Sequence, residues 1–307
     1  MSTRRSRRRG NDRGVVLLNA LVLVTALAGA AAALLLRAET QRSTQLAVRE
    51  ASQLGAYLDA WEALAMTALD GGGDVPDLDA IATSVPLDRG TVTGSVVDLQ
   101  GRFNVNWLAD PADTWARETA ERLAARRGVP SAAIDAIAEA VSPAGPDAGP
   151  LARRAVPERP VGGPVLMLAQ LRGVPGLSDR AFDALAPVLT ALPGDTPLNL
   201  DTAAPDLLRA AVPGLAEGTL AGLMTARSQA PFASVEEVLQ RMGAAAAELD
   251  ETRFAVRGAW FQAEARATLG DAARSRVTVI RRAPLPDGAS VAYRLTTAPG
   301  PDWPGRP

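Results

Sequence analysis

Residues 4–36 read RRSRRRGNDRGVVLLNALVLVTALAGAAAALLL. Arg4, Arg5, Arg7, Arg8, Arg9 and Arg13, opposed only by Asp12, precede an apolar run, with Gly14 at the junction. Between Arg13 and Arg37 lie 23 residues without a charge, and Asn19 and Thr25 are the clearly polar side chains among them. As a helix this stretch spans roughly 35 Å, enough to cross a hydrocarbon core of about 30 Å with modest tilt. A secretory signal has a shorter apolar region, ~7–15 residues, ending at a small-x-small cleavage site. The Ala-rich sequence 27–33 offers such a site after Ala31, but apolar sequence resumes with Leu34, Leu35 and Leu36. The block therefore reads as a retained transmembrane half-helix over 15–36. The positive-inside rule keeps the arginine-rich end in the cytoplasm and sends residues from 37 onward across the membrane.

The helical pattern continues beyond the apolar run. Over 40–69, Leu54, Leu58, Trp61, Leu64 and Ala65 recur at helical spacing, while Arg49, Glu50, Asp59 and Glu62 fall mostly on other faces. Gly71, Gly72 and Gly73 then stop the helix. Residues 37–70 are thus an amphipathic half-helix that extends the apolar one.

The rest of the composition narrows the chemistry. The chain has 307 residues, long enough for two or three units. All its basic residues are Arg, and it contains no Cys and no His. Disulfides, a zinc site and a serine–histidine relay are therefore excluded. Six Arg against Asp12 give residues 1–14 a charge of +5, which leaves −7 for the remainder of a chain whose net charge is −2. A mildly acidic body argues against nucleic acid as its partner. The acids are scattered, and no catalytic constellation is evident.

The head divides by pattern. In 90–108, GTVTGSVVDLQGRFNVNWL, Val92, Val96, Leu99, Phe103 and Val105 alternate around a turn at Gln100–Gly101, as a β-hairpin or a strand followed by an ordered loop. This makes 71–108 the first part of a sheet. Helical sequence fills 109–245: Asp110, Pro111 and Asp113 start one helix, Ser131 is a candidate N-cap for 131–141, and helical patterns return at 165–193 and 202–243. A Pro/Gly-rich connector at 142–164 splits this block in two. Residues 246–297 alternate again as three strands, RFAVRGAWFQAEARATL, SRVTVIRRA and SVAYRLTT, and 298–307 is a flexible tail. A helical block bracketed by two segments of one sheet makes an α+β fold.

Within the block, GVPGLSDRAFDALAPVL (173–189) repeats as AVPGLAEGTLAGLMTAR (211–227). Such x-P-G-apolar turns resemble helix-hairpin-helix units, which bind DNA phosphate through backbone N–H groups. Here Ser178 and Ala216 replace the second glycine and Asp179 and Glu217 follow, so acids stand where phosphate would sit. The repeat reads as a helical scaffold of the sterile-alpha-motif type. A membrane-anchored DNA-binding protein of a DNA-uptake apparatus is the alternative reading.

A basic leader ending in Gly, an apolar half-helix and an amphipathic half-helix under a globular head resemble a type IV pilin or pseudopilin. The resemblance implies that a prepilin peptidase cuts between Gly14 and Val15 and leaves the apolar helix in place. Gly10 competes less well, because Asn11, Asp12 and Arg13 would then begin the mature helix. Pilins carry Glu at mature position 5; here that position is Asn19, which cannot pair with a terminal amine although it can exchange hydrogen bonds. DLQGRFNVNWL (98–108), TPLNLDTAAPDLLRAAVPGL (196–215) and PFASVEEVL (231–239), followed by the sheet-forming tail, resemble the K-type minor pseudopilin of type II secretion systems. That family carries a large helical insert in a pilin-like sheet and lacks the position-5 glutamate, so Asn19 fits it.

The resemblance implies a non-enzymatic subunit at the tip of a periplasmic pseudopilus, helping export folded proteins across the outer membrane. It would sit in the inner membrane as a single-pass protein with its head in the periplasm. The implied partners are other minor pseudopilins in a tip complex, the major pseudopilin, prepilin peptidase and the inner-membrane assembly platform. No cofactor is implied except calcium in some relatives. Here VSPAGPDAGP supplies only Asp147, whereas calcium needs six or more oxygen ligands. Asp98, Gly101, Arg102, Asn104, Asn106, Asn199 and Thr202 carry the motifs. Asn104 and Asn106 are expected to cap the first insert helix or turn the chain, Asn199 and Thr202 to cap the helix near Pro205, and Arg102 to pair with a head carboxylate.

Overall fold

A computed structural model describes residues 9–70, 81, 84–145, 162–284 and 287–297, with side chains from Val15 onward. Arg9–Leu69 form one helix, α1. From Val15 to Ser52 no side chain is buried, although this stretch carries most of the molecule's exposed large apolar residues. Leu54, Leu58, Trp61, Ala65 and Leu69 then descend one stripe into a sheet, each fully buried aliphatic side chain contributing about 1.5–3 kcal/mol. Leu64 departs from the expected stripe and is half exposed. One helix thus supplies an unpartnered apolar rod and a wall of the head's core. The helix ends at Leu69, and Gly71–Gly73 lie outside the described residues.

The sheet has five antiparallel strands in the order β1-β2-β7-β8-β9. β1 is Ser84–Leu87, β2 Gly90–Asp98, β7 Trp260–Leu269, β8 Ala272–Arg282 and β9 Ala289–Thr297. Strict alternation in β7 buries Phe261, Ala263, Ala265, Ala267 and Leu269 against α1. Gly94 of β2 lies directly under Trp61, and a Cβ there would fall 2.2 Å from the indole ring. β2 and β7 are neighbours, with Asp98 opposite Phe261. All the chain between them is therefore an excursion from two adjacent strands, which is how so large an insert leaves the sheet intact.

The insert has its own core, from Phe103 to Val256. Its helices are α2 Thr114–Arg126, α3 Ser131–Val141, α4 Asp179–Leu185, α5 Pro205–Ala211, α6 Glu217–Gln229 and α7 Val235–Met242. Phe103, Trp107, Trp115 and Phe254 run through it in a chain, edge to face at both ends and tilted between the two Trp rings, with ring centroids 5.1, 5.5 and 5.8 Å apart. Two short parallel pairings knit it: β3 (Phe103–Asn104) with β4 (Leu189–Thr190), and β5 (Leu198–Asn199) with β6 (Phe254–Ala255).

The α+β architecture and the sheet drawn from both ends of the chain are as the sequence implies. The boundaries differ. Gln100–Gly101 is no hairpin turn: Leu99–Gly101 is a 3₁₀ turn, the chain leaves the sheet after Asp98, Leu99 packs between Leu192 of the insert and Val279 of β8, and Phe103, Val105, Trp107 and Leu108 enter the insert's core. At the other end Phe254 and Val256 also belong to the insert's core. The 165–193 block is mostly turns around the seven-residue α4, because Gly173, Pro175, Gly176, Pro187 and Pro193 interrupt it. Pro213 and Pro231 likewise divide 202–243 into α5, α6 and α7. Asp113 caps α2 as expected. Ser131 is the first helical residue rather than the cap, since Pro130 holds the extended conformation from which α3 starts. Most of the 142–164 connector and all of 298–307 lie outside the described residues.

The two V-P-G-L segments adopt the same turn. Gly176 (φ 90°) and Gly214 (φ 81°) take left-handed conformations three residues before α4 and α6 begin.

Candidate functional site: a polar junction and an unpartnered helix

Asp98 ends β2, where the chain leaves the sheet for the insert. Its Oδ1 accepts the Gln100 amide at 2.7 Å, and its Oδ2 accepts Asn199 Nδ2 at 2.5 Å and Thr202 Oγ1 at 3.0 Å. Burial pushes the Asp98 carboxyl up, while these three donors and the charge of Arg102 pull it back. Asn199 and Thr202 therefore hold Asp98 and do not cap α5. That helix starts from Ala204 without a side-chain cap, with Pro205 in its first turn. Asn199 also turns its own loop, its Oδ1 accepting the Asp201 amide at 3.0 Å.

Gly101 is required by contact: a Cβ there would stand 2.6 Å from the Thr202 carbonyl oxygen. Beside it Gln100, which no motif argument singled out, is buried and bonds on both sides. Its Nε2 donates to Pro197 O at 3.0 Å, and its Oε1 accepts the Ala259 and Trp260 amides at the start of β7. One side chain thus ties the exit of β2 to the entry of β7.

Asn104 and Asn106 do a similar task deeper in the insert. Asn104 Oδ1 accepts the amides of Asn106 (3.2 Å) and Leu192 (3.0 Å), and its Nδ2 donates to Pro193 O. Asn106 Nδ2 donates to Val165 O and Leu192 O, and its Oδ1 accepts Val165 N at 2.8 Å. They turn the chain locally, but α2 is capped by Asp113. Their main partners are loop backbones about as polar as any strand edge, which would otherwise be buried unpaired.

Arg102 makes no ion pair with a described carboxylate. Burial lowers its pKa, and Glu264 and Asp98 act on it only through their charge. The expected direct pairing with a head carboxylate is replaced by this looser arrangement. Among the described residues no group of three or more acids is placed to hold a metal ion, and Asp147 lies outside them.

A second buried carboxylate, Glu62, sits in α1 beneath the far side of the sheet. It was expected off the apolar face, yet it lies one turn after Leu58 and points inward. Arg294 Nε donates to both its oxygens (3.0 and 2.9 Å), and Thr278 Oγ1 donates at 2.6 Å. Arg276 stands 3.7 Å away and also pairs with Asp59. Burial raises the Glu62 pKa, but the hydrogen bonds from Arg294 and Thr278 and the two arginine charges outweigh it and hold the carboxyl below its ordinary value.

In the repeated turns the acids that open α4 and α6 are already engaged. Asp179 lies 3.5 Å from Arg172, and Glu217 accepts both Arg209 Nε and Nη2, at 2.8 and 2.7 Å. An ion-paired acid thus opens each of these helices where phosphate would sit, and nothing among the described residues favours the DNA-binding reading.

At the other end of the molecule, α1 carries, within Val15–Leu69, an apolar window long enough to cross a membrane, none of that window buried. Asn19 lies in its exposed part, one turn after Val15, and Gly14 lies within the helix, outside the residues with described side chains.

A five-stranded sheet packed on the second half of a long helix whose first half is apolar and exposed, with a helical domain inserted between neighbouring strands, is the architecture of a pseudopilin-type subunit. Two family models, both described as "Type II secretion system (T2SS), protein K", match residues 101–194 and 198–257, together about half of the chain. The chain belongs to the type II secretion system protein K family. No curated protein matches it significantly. Among solved structures it is similar to a chain of the GspK-GspI-GspJ complex from the enterotoxigenic Escherichia coli type 2 secretion system. That match has a TM-score of 0.66 and 22% identity, covering 82% of this chain and 98% of that one.

Proposed function

We propose that this minor pseudopilin is anchored in the inner membrane by residues 15–36, with its head in the periplasm, and caps or initiates the tip of the pseudopilus. The observation that carries the reading is the unpartnered apolar half of α1, rigidly continuous with the half that seats the head. A rod of this kind needs either lipid or the helices of neighbouring subunits around it. Asn19 in place of a position-5 glutamate suits a subunit with no neighbour above it whose terminal amine needs neutralising. The insert is too bulky to be stacked upon, which also favours the end of a filament.

The similarity to a GspK chain solved with GspI and GspJ supports other minor pseudopilins as direct partners. Prepilin peptidase would cut after Gly14, and the inner-membrane platform would take up the processed subunit. No catalytic role and no resident metal are part of this reading. The test is a Gly14→Leu variant in a secreting host, with mass spectrometry of the mature amino terminus. The expected outcome is a wild-type chain beginning at Val15, and a variant that stays unprocessed and fails to support export. A wild-type terminus near residue 32, or full export by the unprocessed variant, would overturn the reading.

A further inference from the structure

α1 runs unbroken from Arg9 to Leu69, but what supports it changes along its length. Its last part is held by packing, with Leu54, Leu58, Trp61, Ala65 and Leu69 buried against the sheet. Its apolar part, residues 15–36, carries no charge and takes apolar surroundings. Between the two, from Arg37 to Glu50, no side chain is buried and most are charged or polar. There the helix rests on its own hydrogen bonds, in water, and local stability is lowest where packing is absent.

Within that unsupported span three hydroxyls turn back onto the backbone. Thr40 Oγ1 donates to Leu36 O at 2.9 Å, Ser43 Oγ to Thr40 O at 2.9 Å, and Thr44 Oγ1 to the same Thr40 O at 2.8 Å. In a regular helix that carbonyl also accepts the Thr44 amide, so three donors share one oxygen. Back-bonding of this kind weakens the ladder and bends helices. Thr and Ser are also poorer helix formers than the Ala and Leu on either side, because their hydroxyls compete for backbone groups. Similar bonds elsewhere in α1 are supported. Thr25 Oγ1 bonds Leu21 O and Val22 O inside the apolar run, where no water competes. Thr67 Oγ1 bonds Ala63 O where the helix is seated on the sheet.

We propose that Thr40–Thr44 is the compliant point of α1, where the helix bends without breaking and lets the head tilt relative to the apolar half. The rod stays continuous, but its stiffness is not uniform. Thr40 stands four residues, about 6 Å, beyond Leu36, and Leu54 begins the seat of the head about 21 Å further on. A small bend between two such arms is amplified by their length. The device holds wherever in a filament the subunit sits, and rests on the proposed function only in taking residues 15–36 as embedded.

The test uses the full chain in lipid nanodiscs, and the absence of Cys permits a pair of spin labels at Leu34→Cys and Ala63→Cys. Both positions are exposed, and a straight helix separates them by about 44 Å. Electron–electron distance measurement should give a broad distribution that reaches below this value. Thr40→Ala, Ser43→Ala and Thr44→Ala together should narrow it onto the straight-helix distance. In the unlabelled chain, hydrogen exchange should be fastest within 15–69 over residues 40–48. It should be roughly tenfold slower there in the triple variant, the combined size of three small gains in helix propensity. Thr67→Ala removes the same kind of bond from the seated part and should change neither measurement. A wild-type distribution as narrow as the triple variant's, or exchange over 40–48 no faster than over 54–69, overturns the proposal. Exchange over 16–36 as fast as over 40–48 also overturns it, by the separate route of showing that the apolar half is not embedded.

Discussion

The seam between sheet and insert and the seam between helix and sheet each bury one carboxylate, and they neutralise it in opposite ways. At the first, Asp98 is held by neutral donors: a backbone amide, the Asn199 amide and the Thr202 hydroxyl. At the second, Glu62 is held by the Arg294 fork, with Arg276 nearby and one hydroxyl. Burial therefore wins at Asp98, whose pKa is raised, and loses at Glu62, whose pKa is lowered. Neutral donors in fixed positions set geometry and leave the charge poorly compensated. Arginines compensate the charge and tolerate a looser geometry. The insert needs geometry, because its whole mass is attached at one crossing between neighbouring strands. The helix needs only to be clamped, because a long apolar stripe already sets its position.

The largest expected effect is at the rigid seam. Asp98→Ala strands two buried donors, the Gln100 amide and the Asn199 amide, while the exposed Thr202 hydroxyl can turn to water, at a cost of about 2–4 kcal/mol. Denaturant unfolding followed by the fluorescence of Trp107 and Trp115 should show a correspondingly lower midpoint. A midpoint unchanged from wild type would mean that the donors relax to other partners and that the crossing does not rely on Asp98.

The clamped seam should respond less to mutation and more to acid. Arg294 is about half exposed, 51% by side chain, and can return to water when its partner is removed. Glu62→Gln should therefore cost about 1–2 kcal/mol at neutral pH, at the low end for a broken buried pair. Its pH signature has a definite sign. The folded Glu62 pKa lies below the ordinary 4.5, so its stabilisation is complete above 4.5 and is lost as pH falls through the folded value. Asp98 slopes the other way: its folded pKa lies above the ordinary 3.8, so its protonation stabilises the fold below 3.8, and that contribution fades as pH rises through the folded value. Stability measured between pH 5 and pH 3 should thus fall less steeply in Glu62→Gln than in wild type, and more steeply in Asp98→Asn. Parallel profiles for the two variants would break the contrast.

How far these seams could be read in advance depends on sequence distance. The helix, its apolar and amphipathic halves, the alternating strands 260–297 and the repeated V-P-G-L turns are periodic or local, and the sequence displays them directly. Glu62 was legible too, since it follows Leu58 by four residues and so shares its face; its charge argued against a position the spacing required. The junction was not legible in detail. Asp98 meets Asn199 and Thr202 across 101 and 104 residues, and Asn106 meets Leu192 across 86. The motif residues could be recognised as special, but local capping was the only role their neighbours offered. Gln100 was passed over because a turn accounted for it. Both family models lie within the insert and its flanks, residues 101–257, where these long-range bonds concentrate. The helix and sheet rely on patterns that many sequences satisfy.

The smallest effect should come from trimming one donor at Asp98. Thr202→Val keeps the shape of the side chain and removes only the hydroxyl that bonds Oδ2 at 3.0 Å. The Thr202 carbonyl, which abuts Gly101, is untouched. Asn199 and the Gln100 amide still bond the carboxylate, and the surface at Thr202 is open to water. The expected loss is about 1 kcal/mol, the net value of a single hydrogen bond. Removing a donor to the ionised form also raises the Asp98 pKa further, so the variant should lose its stability advantage over a higher span of pH than wild type. If Thr202→Val instead costs as much as Asp98→Ala, the three donors do not share the carboxylate, and the hydroxyl alone holds the insert to the sheet. A cost near zero, with an unchanged pH profile, would show that Asn199 and the turn of residues 99–101 suffice, and that the rigid seam is rigid through its backbone.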